Sequence, residues 1–262
     1  MSMSAPYLVY ALFMIPARYF IIAGFFYILF YYLKKDQWFY LKIQKKFPSK
    51  KIIVSEMGYS LLTMIIYSII AYVIFKMYWL NYTLLYTDIS KFGSFYFIFS
   101  TVLLIFIHDL YFYATHRLMH HRSIYRFVHR VHHVSVNPTP WAAFSFHPIE
   151  AIVTIIWIPL IIMVIPFHIF SIAFWALYMM LFNVIGHLGY EFFPKRFVDS
   201  FIGKIFFTSL FHNIHHSTHN CNYGLYFILW DRIFRTINNN YKKIYNDFQE
   251  NIYQNRSCNV SK

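Results

Sequence analysis

Long apolar runs separated by short polar segments are the main pattern of this 262-residue chain. Three of them cover about residues 13–32, 57–78 and 92–107, and they are apolar on every side rather than on one face. Such runs are typical of helices that cross a hydrocarbon core of about 30 Å. Pro16 and Arg18 interrupt the first run, and we expect them to mark its outer end.

Two shorter apolar runs follow, at about residues 149–165 and 169–185, with a Pro-Phe-His turn between them. Each has 17 residues, which is the short limit for a membrane span. We therefore predict a helical hairpin that enters the membrane deeply, and leave open whether it crosses completely. From residue 238 onward the chain is rich in Asn, Lys and Tyr, and we expect a poorly ordered polar tail.

Composition supports a membrane protein, since 59% of the residues are hydrophobic and only 13% are charged. A soluble domain of this size carries about twice that charged fraction. The net charge of +13 would suit a nucleic-acid partner, but the lysines and arginines lie between the apolar runs, as in membrane proteins with positive cytoplasmic loops. Nucleic-acid binding is therefore excluded as the main function.

The basic connector at residues 34–51 orients the chain, because positive loops face the cytoplasm. The polar segments after the third run and after the hairpin then lie on the same side. The start of the chain has neither a basic region nor a cleavage site, so we expect no removable signal peptide. Cys221 and Cys258 provide no disulfide framework. We divide the chain into N-terminal spans with their connector (1–90), a histidine-rich domain (91–237) and the tail (238–262).

Histidine clusters dominate these polar segments, and two of them repeat the spacing H-x-x-H-H. The clusters are His116 and His120; His129, His132 and His133; and His212, His215 and His216. Residues at i, i+3 and i+4 share a helix face, so we expect each cluster to point its imidazoles at one spot. Neutral imidazole binds Zn, Cu, Fe and Ni. At least eight converging imidazoles, without a cysteine among them, predict more than one metal ion.

The motifs around these histidines resemble the fatty acid hydroxylase/sterol desaturase superfamily of integral-membrane di-iron oxygenases. The resemblance covers about residues 104–236 and is specific in order and spacing. The matching stretches are His108 to His121, His129 to His133, Asn137 to Trp141, Phe146 to Glu150, Asn183, Gly186-His187, Glu191, His212 to His216, Asn222 to Gly224, and Trp230 to Arg232.

The resemblance implies an all-α, multi-span membrane bundle with a helical cap on its cytoplasmic side. It also implies two iron ions in that cap, O2 as oxidant and a lipid substrate such as a sterol or fatty acyl chain. The ligands that it indicates are His116, His120, His129, His132, His133, His187, His212, His215 and His216. We expect no further catalytic residue beyond these ligands.

Five further residues are candidates for metal binding or for supporting the ligands: His108, Asp109, His147, Glu191 and Asp231. Some superfamily members have a second histidine four residues after the equivalent of His187, where this chain has Glu191. That glutamate is a ligand, a hydrogen-bonding partner of a ligand or a plain cytoplasmic charge. His147 either binds metal or caps a helix.

Carboxylates near the clusters allow two interpretations. Asp109, Glu150 and Asp231 either orient imidazole N–H groups or pair with Arg117, Arg122 or Arg232 at the interface. Outside the metal site we place His121 in a structural role. His168 has no expected role, and His219 is interpreted as a chance surface histidine.

The predicted reaction is hydroxylation or desaturation of a lipid that enters from the bilayer, with O2 and two external electrons. The chain has no Gly-rich dinucleotide motif and no flavin- or haem-binding segment, so a separate electron carrier is needed. We expect a cytochrome b5-like protein, or a ferredoxin-like one with its reductase. The location would be the endoplasmic reticulum of a eukaryote or the cytoplasmic membrane of a bacterium. The alternative is a zinc- or iron-binding membrane transporter or sensor without oxidase activity.

Overall fold

A computed structural model describes residues 4–260, with side chains described for residues 6–254. This part of the chain is helical and contains no β-strand, which confirms the all-α prediction. Its α-helices, in chain order, are α1 (Ser4–Tyr27), α2 (Lys50–Trp79), α3 (Gly93–Met119), α4 (Arg122–Val128), α5 (Arg130–His133), α6 (Pro148–Ile155), α7 (Trp157–Ile161), α8 (Ile169–Gly186), α9 (Ser209–Thr218), α10 (Leu229–Ile233) and α11 (Tyr241–Val260).

Four of the described helices, α1, α2, α3 and α8, are long and apolar enough to cross a membrane. The first continues as a π-helix through Ile28–Leu33. The expectation that Pro16 and Arg18 end this span is wrong, because α1 begins at Ser4 and passes through the proline. A proline removes one backbone hydrogen bond, and the apolar residues that precede and follow Pro16 continue the helix across it.

The first arm of the predicted hairpin is a broken helix. It consists of α6 and α7 with a turn at Ile156 between them. Pro159 has no N–H, so the carbonyl of Ile155 loses its helical partner and the helix breaks at this point. The start of α6 is capped by His147, whose Nδ1 accepts the N–H of Ile149 at 3.3 Å. The second arm is the continuous 18-residue helix α8.

Backbone hydrogen bonds define the two ends of the bundle. At one end the turn after α2 meets the hairpin turn, with the N–H of Leu84 on the carbonyl of Ile162 at 2.8 Å. At the other end the basic connector meets the segment after α8, where the N–H of Ile43 donates to Gly189 at 3.0 Å and the N–H of Glu191 donates to Leu41 at 2.9 Å. The connector and the chain beyond α8 therefore lie at the same end, as predicted.

The Thr-Pro-Trp segment before α6 is buried beneath the histidine-bearing end. It forms a short 3-10 helix, Pro140–Phe144, whose five residues are all buried. The hydroxyl groups of Tyr19 in α1 and Ser60 in α2 each lie 2.8 Å from the carbonyl oxygen of Trp141. The hydroxyl of Thr139 donates to the carboxylate of Glu56 in α2. The first two spans are thus fastened to the segment that joins α5 to α6.

The tail is helical as far as residue 260, so the expectation of a poorly ordered segment from residue 238 is wrong for the described residues, and residues 261–262 lie outside them. Residues Tyr241–Val260 form α11. In this helix the hydroxyl group of Tyr245 donates to the carbonyl oxygen of Pro194 at 3.0 Å. The side-chain amide of Gln249 donates to the carbonyl oxygen of Phe193 at 2.9 Å. Tyr241 and Tyr245 are one helical turn apart and both buried, so a single face packs although the overall composition is polar.

Candidate metal centre

Nine histidines meet in two neighbouring groups at the connector end of the bundle. Cluster 1 contains His116, His120, His129, His133 and His215, and cluster 2 contains His132, His187, His212 and His216. Within each cluster the candidate ligand atoms lie within 4.8 Å of one another. The ring centroids of His133 and His216 are 4.7 Å apart, so the clusters adjoin. The nine predicted ligands therefore converge, and their binding of metal remains a prediction.

Each H-x-x-H-H triplet is divided between the clusters, although its spacing suggested a single spot. In the first triplet, His129 and His133 belong to cluster 1 and His132 to cluster 2. The second triplet reverses this, with His215 in cluster 1 and its i and i+4 members in cluster 2. Adjacent helical residues differ by about 100° in direction. The i and i+4 histidines of a triplet therefore point into one cluster, while the i+3 histidine points into the other cluster.

Distances between the imidazole nitrogens fit metal ligands and do not fit hydrogen bonds alone. In cluster 1, Nε2 of His133 lies 3.1 Å from Nε2 of His120, His129 and His215. One neutral ring nitrogen either donates once or accepts once, so it cannot hydrogen-bond to three others. Ligand nitrogens that share one ion at about 2.1 Å lie about 3 Å apart and need no hydrogen bond between them. The spacing is therefore that of a group that could hold a metal ion.

Cluster 2 shows the same arrangement around His187. Its Nε2 lies 3.2 Å from Nε2 of His132 and 3.1 Å from Nε2 of both His212 and His216. The last two nitrogens are also 3.1 Å apart. The two clusters thus provide nitrogen donors of one kind at one spacing, which suits two ions of the same metal.

Four of the nine rings have their other nitrogen fixed by an oxygen acceptor. Nδ1 of His116 contacts the carbonyl oxygen of Tyr223 at 2.8 Å, and Nδ1 of His129 contacts the carboxylate of Glu150 at 2.7 Å. The remaining two are on main-chain carbonyls, His187 on Asn183 at 2.7 Å and His215 on Cys221 at 2.6 Å. A proton held on Nδ1 leaves the Nε2 lone pair free, and such partners usually orient metal-binding histidines.

Burial keeps the clustered histidines neutral. Eight of the nine are buried, and His120 is the partly exposed one. Burial lowers the pKa of His187 to about 4. Burial and the neighbouring imidazoles hold the pKa values of His133 and His216 well below their usual range. Neutral imidazole is the form that binds metal, so these rings are ready to do so at neutral pH.

Glu150 interacts directly with a clustered histidine, whereas Glu191 does not. Glu150 is 1% exposed and accepts from His129, so of its two predicted roles the structure shows imidazole orientation. Glu191 belongs to neither cluster and is fully buried, which does not fit a plain cytoplasmic charge. It accepts the N–H groups of Phe193 and Leu210, both at 2.9 Å. It therefore fixes the start of α9, the helix that carries the second triplet.

Burial raises the pKa of Glu191 to about 7, although its backbone hydrogen bonds act in the opposite direction. Burial thus favours the neutral carboxyl group, while the two N–H donors favour the carboxylate.

Asp109 and Asp231 hold the Tyr-Gly loop against the site. Asp231 accepts the N–H groups of Tyr223 at 2.9 Å and Gly224 at 2.7 Å, and Asp109 accepts that of Tyr226 at 2.8 Å. Neither forms an ion pair with an arginine in the described part of the chain. A Cβ at Gly224 would collide with the carbonyl oxygen of Phe227 and the Asp231 carboxylate, so glycine is required there.

Two remaining candidates lie away from both clusters. His147 is a helix cap, as described above, and His108 lies in α3 with its Nδ1 2.7 Å from the hydroxyl oxygen of Tyr226. His219, interpreted from the sequence as a chance surface residue, instead places its ring 4.5 Å from that of His133. Its spacing of one turn after His215 was the available signal. The carbonyl partners of the histidines leave no sequence signal, because every residue has a carbonyl group.

A small cavity adjoins both clusters inside the bundle. Phe112 and Phe146 line it, and their rings lie 5.0 Å from the ring of His116 and 5.1 Å from that of His132. Met179 and Leu225 complete its apolar walls. The cavity has a volume of only about 10 Å³, which is room for about one water molecule, and it lies between the histidine clusters and the apolar helices.

Fold and site define a multi-pass helical membrane protein with a histidine-rich centre that fits two metal ions. The fatty acid hydroxylase family model matches residues 101–236, just over half of the chain. The chain belongs to the fatty acid hydroxylase family.

Curated relatives include enzymes of sterol metabolism. The chain is 33% identical to a Delta(7)-sterol 5(6)-desaturase of Gibberella zeae over 147 residues, which is 56% of this chain and 44% of the relative. It is 31% identical to human lathosterol oxidase over 170 residues (63% and 54%), and 33% identical to methylsterol monooxygenase 1 of Gallus gallus over 132 residues (50% and 43%). The chain thus spans about half the length of these relatives. No solved structure matches it.

Proposed function

We propose that this protein is a membrane-bound, non-haem di-iron oxygenase that hydroxylates or desaturates a lipid. The observation that carries the proposal is the pair of adjoining histidine clusters beside a cavity within the apolar bundle. The names of the relatives, which include desaturases, oxidases and a monooxygenase acting on sterols, support the same chemistry. Sterols are therefore the first substrate class to test, and fatty acyl lipids are the second.

The proposed ligands are the five histidines of cluster 1 and the four of cluster 2. Bound iron would supply, with O2, the oxidising power that an unactivated C–H bond requires. Hydroxylation consumes O2, two electrons and two protons and yields the alcohol and one water. Desaturation consumes the same and yields the alkene and two waters. The two outcomes share their co-reactants, so the cavity and not the cofactor must decide between them.

The protein's own groups position the reactants and exclude water. Glu150 and three main-chain carbonyls hold four of the imidazoles in a fixed orientation. Phe112 and Phe146 separate the histidines from the rest of the cavity. A dry site next to aligned donors strengthens electrostatic interactions and prevents side reactions.

The electron donor is proposed to dock at the connector end. This end carries lysines of the connector, Lys34 and Lys35 among them, and arginines of the segment around α4 such as Arg122 and Arg126. A basic surface favours an acidic carrier, either cytochrome b5-like or ferredoxin-like. The same charge supports a cytoplasmic orientation of this end. The protein would reside in the endoplasmic reticulum of a eukaryote or the cytoplasmic membrane of a bacterium.

Lipid mass spectrometry of cells with and without the protein tests the reaction. A gain of about 16 mass units in one lipid class indicates hydroxylation, and a loss of about 2 indicates desaturation. The metal content of the purified protein tests the centre: two irons with O2-dependent turnover support the proposal. Zinc without turnover would instead indicate the transporter or sensor.

A further inference from the structure

A second and larger cavity opens between the loop that precedes α9, the helix α10 and the start of α11. Its volume is about 290 Å³. Since a water molecule takes about 30 Å³ in the liquid, the cavity has room for about ten of them, which is enough for a phosphate group with its glycerol. None of the nine clustered histidines lines this cavity. It is therefore separate from the metal centre.

The lining of this cavity combines two cations with an apolar floor. Arg232 and Lys242 carry the positive charges, and Val198 and Ile228 provide apolar surface. Among the described residues that line the cavity, none is acidic. Arg232 forms no ion pair in the described part of the chain, whereas Nζ of Lys242 lies 2.6 Å from the carboxylate of Asp199, which is outside the lining. One cation is thus free to bind an anion, and the second is partly neutralised.

The rim of the cavity lies at the level where α3 leaves the membrane. The third apolar run ends near residue 107, and the ring of Phe106 stacks there on that of Phe227 at 5.0 Å, next to Ile228 of the cavity floor. The segments beside the cavity expose large apolar side chains, among them Phe201, which is 79% exposed. The others are Ile202, Leu229, Ile233 and Phe234. Exposed apolar residues next to basic ones are typical of a surface that lies on a bilayer.

We propose that this cavity binds the headgroup of an anionic phospholipid of the surrounding membrane, with Arg232 as its main contact. A guanidinium can donate two parallel hydrogen bonds to a phosphate, and Lys242 adds a second charge. The apolar floor would contact the glycerol, while Phe201 and Ile202 would contact neighbouring acyl chains. A zwitterionic phospholipid brings its own ammonium group towards the same cations and should bind more weakly. The bound lipid is not the substrate, because no clustered histidine lines the cavity.

A bound headgroup would also stabilise the loop that supports cluster 1. Arg232 follows Asp231, which holds the loop whose Tyr223 carbonyl contacts His116. On the other side of the cavity, the N–H of Asn238 donates to the side-chain oxygen of Asn222, at the start of the same loop, at 2.8 Å. A ligand that binds only the folded chain raises its stability. We therefore expect anionic lipid to raise the unfolding temperature.

Native mass spectrometry of the purified full-length protein in detergent measures this binding without any turnover. The protein is titrated with phosphatidylglycerol and, separately, with phosphatidylcholine of the same acyl chains. The anionic lipid should bind about 10-fold more tightly, as expected for one charge-assisted contact. Inorganic phosphate at the same concentrations is the competitor, and it should displace little of the bound phosphatidylglycerol. Equal affinities of the two lipids would overturn the inference, and so would complete displacement by inorganic phosphate.

Arg232→Gln should weaken binding of phosphatidylglycerol about 10-fold, and Lys242→Gln about 3-fold because Lys242 is already paired. Asp199→Asn removes the competing carboxylate and should strengthen binding about 3-fold. Lys243→Gln is the matched control, since it removes the same charge from an exposed residue outside the lining, and it should change binding less than about 2-fold.

Unfolding temperatures without added lipid verify that each variant folds. Phosphatidylglycerol should then raise the unfolding temperature of the wild type and of Lys243→Gln by the same amount, and that of Arg232→Gln by less. An equal loss of binding in Arg232→Gln and Lys243→Gln would show a diffuse attraction between a basic surface and anionic lipid. That result would overturn the assignment of a site to this cavity.

Discussion

The two histidine clusters use one chemistry in different surroundings. Cluster 1 combines two i, i+4 pairs from α3 and the α4–α5 junction with one histidine of α9, and one of its rings is partly exposed. Cluster 2 has one such pair, from α9, together with His132 and His187, and all four are buried. The carboxylate of Glu150 supports His129 in cluster 1, and the main-chain carbonyl of Asn183 supports His187 in cluster 2.

Two identical sequence motifs therefore do not produce equivalent sites. The two triplets have the same spacing, but each gives two rings to one cluster and one to the other. What distinguishes the clusters is the set of groups behind the rings, above all Glu150. Changes to individual residues of either cluster can therefore test whether the two sites differ.

Removing a central ring from either cluster should have the largest effect. His133→Ala in cluster 1 and His216→Ala in cluster 2 should each lower the iron content from about two to about one per chain, because their nitrogens adjoin several ligands. Turnover should fall at least about 100-fold, beyond the effect typical of an outer hydrogen-bonding partner. Iron is measured by mass spectrometry of the purified protein, and turnover by product formation.

His121→Ala is the control for this pair, since His121 is exposed and lies next to His120 in sequence but in neither cluster. It should retain both irons. Full iron content in His133→Ala or His216→Ala would contradict the assignment of ligands.

Glu150→Gln should weaken cluster 1 selectively. The amide keeps the shape but not the charge that holds His129, so we expect iron affinity to fall about 10- to 100-fold at one of the two sites. Chelator titration followed by iron analysis separates a tight from a weak site. Glu250→Gln is the control variant, because that carboxyl group is exposed, pairs with Lys195 and contacts no clustered histidine. Equal loss of affinity in both variants would show that the carboxylate of Glu150 has no special role.

Asp231→Asn should destabilise the loop that supports His116 of cluster 1. The carboxylate accepts two backbone N–H groups and the hydroxyl of Thr236, and the loop that it holds provides the carbonyl for His116. Loss of part of this buried network should cost about 2 kcal/mol of unfolding free energy. Thermal unfolding in detergent measures it. Asp88→Asn is the control, because Asp88 is exposed and caps a short 3-10 helix outside the site. It should lower the unfolding free energy much less.

Lys42 provides a smaller, pH-dependent test on the cluster 2 side, next to Gly189 and Tyr190. Burial, and then the charge of Lys45, lowers its pKa to about 8, while the rings of Tyr31 and Phe47 favour the cation. Below pH 8 the lysine is charged in both the folded and the unfolded chain, so the cost of burying it is fully present. Between pH 8 and about 10.5 the folded chain loses the proton first, and this cost disappears.

Wild type should therefore gain about 1 kcal/mol over Lys42→Met as pH rises through that interval, after the opposing ring contacts are included. Unfolding temperatures at pH 7.5 and 10 measure the difference. A gap between the two proteins that does not change with pH would show that Lys42 does not titrate in this range.

Much of the fold was predictable because membrane helices depend on local composition. The second and third runs and the second run of the hairpin correspond to α2, α3 and α8. Errors arose where a local rule was overruled by its surroundings. Pro16 does not end α1, since the apolar run continues before it, and the polar tail is a helix because Tyr241 and Tyr245 find buried partners. The break at Ile156 has a local cause in the sequence, namely Pro159.

The sequence predicted which histidines form the site, but not how they are distributed between the two clusters. Spacing identified the histidines of the triplets, but the division of each triplet depends on which helices adjoin it. Glu191 illustrates the same point, because nothing in its sequence position shows that it fixes the start of α9. The backbone carbonyls that hold three rings were beyond any sequence argument.

The positions of the ligands along the chain also impose an order of assembly. Four of the five rings of cluster 1 precede residue 134, whereas three of the four rings of cluster 2 follow residue 186. Synthesis proceeds from the N-terminus, so the first set is already made while the hairpin and α9 are still to be synthesised. His215 then completes the earlier set as its neighbours in α9 form the later one. The short helix α9, which carries the last ligands along the chain, thus completes both clusters at the same time.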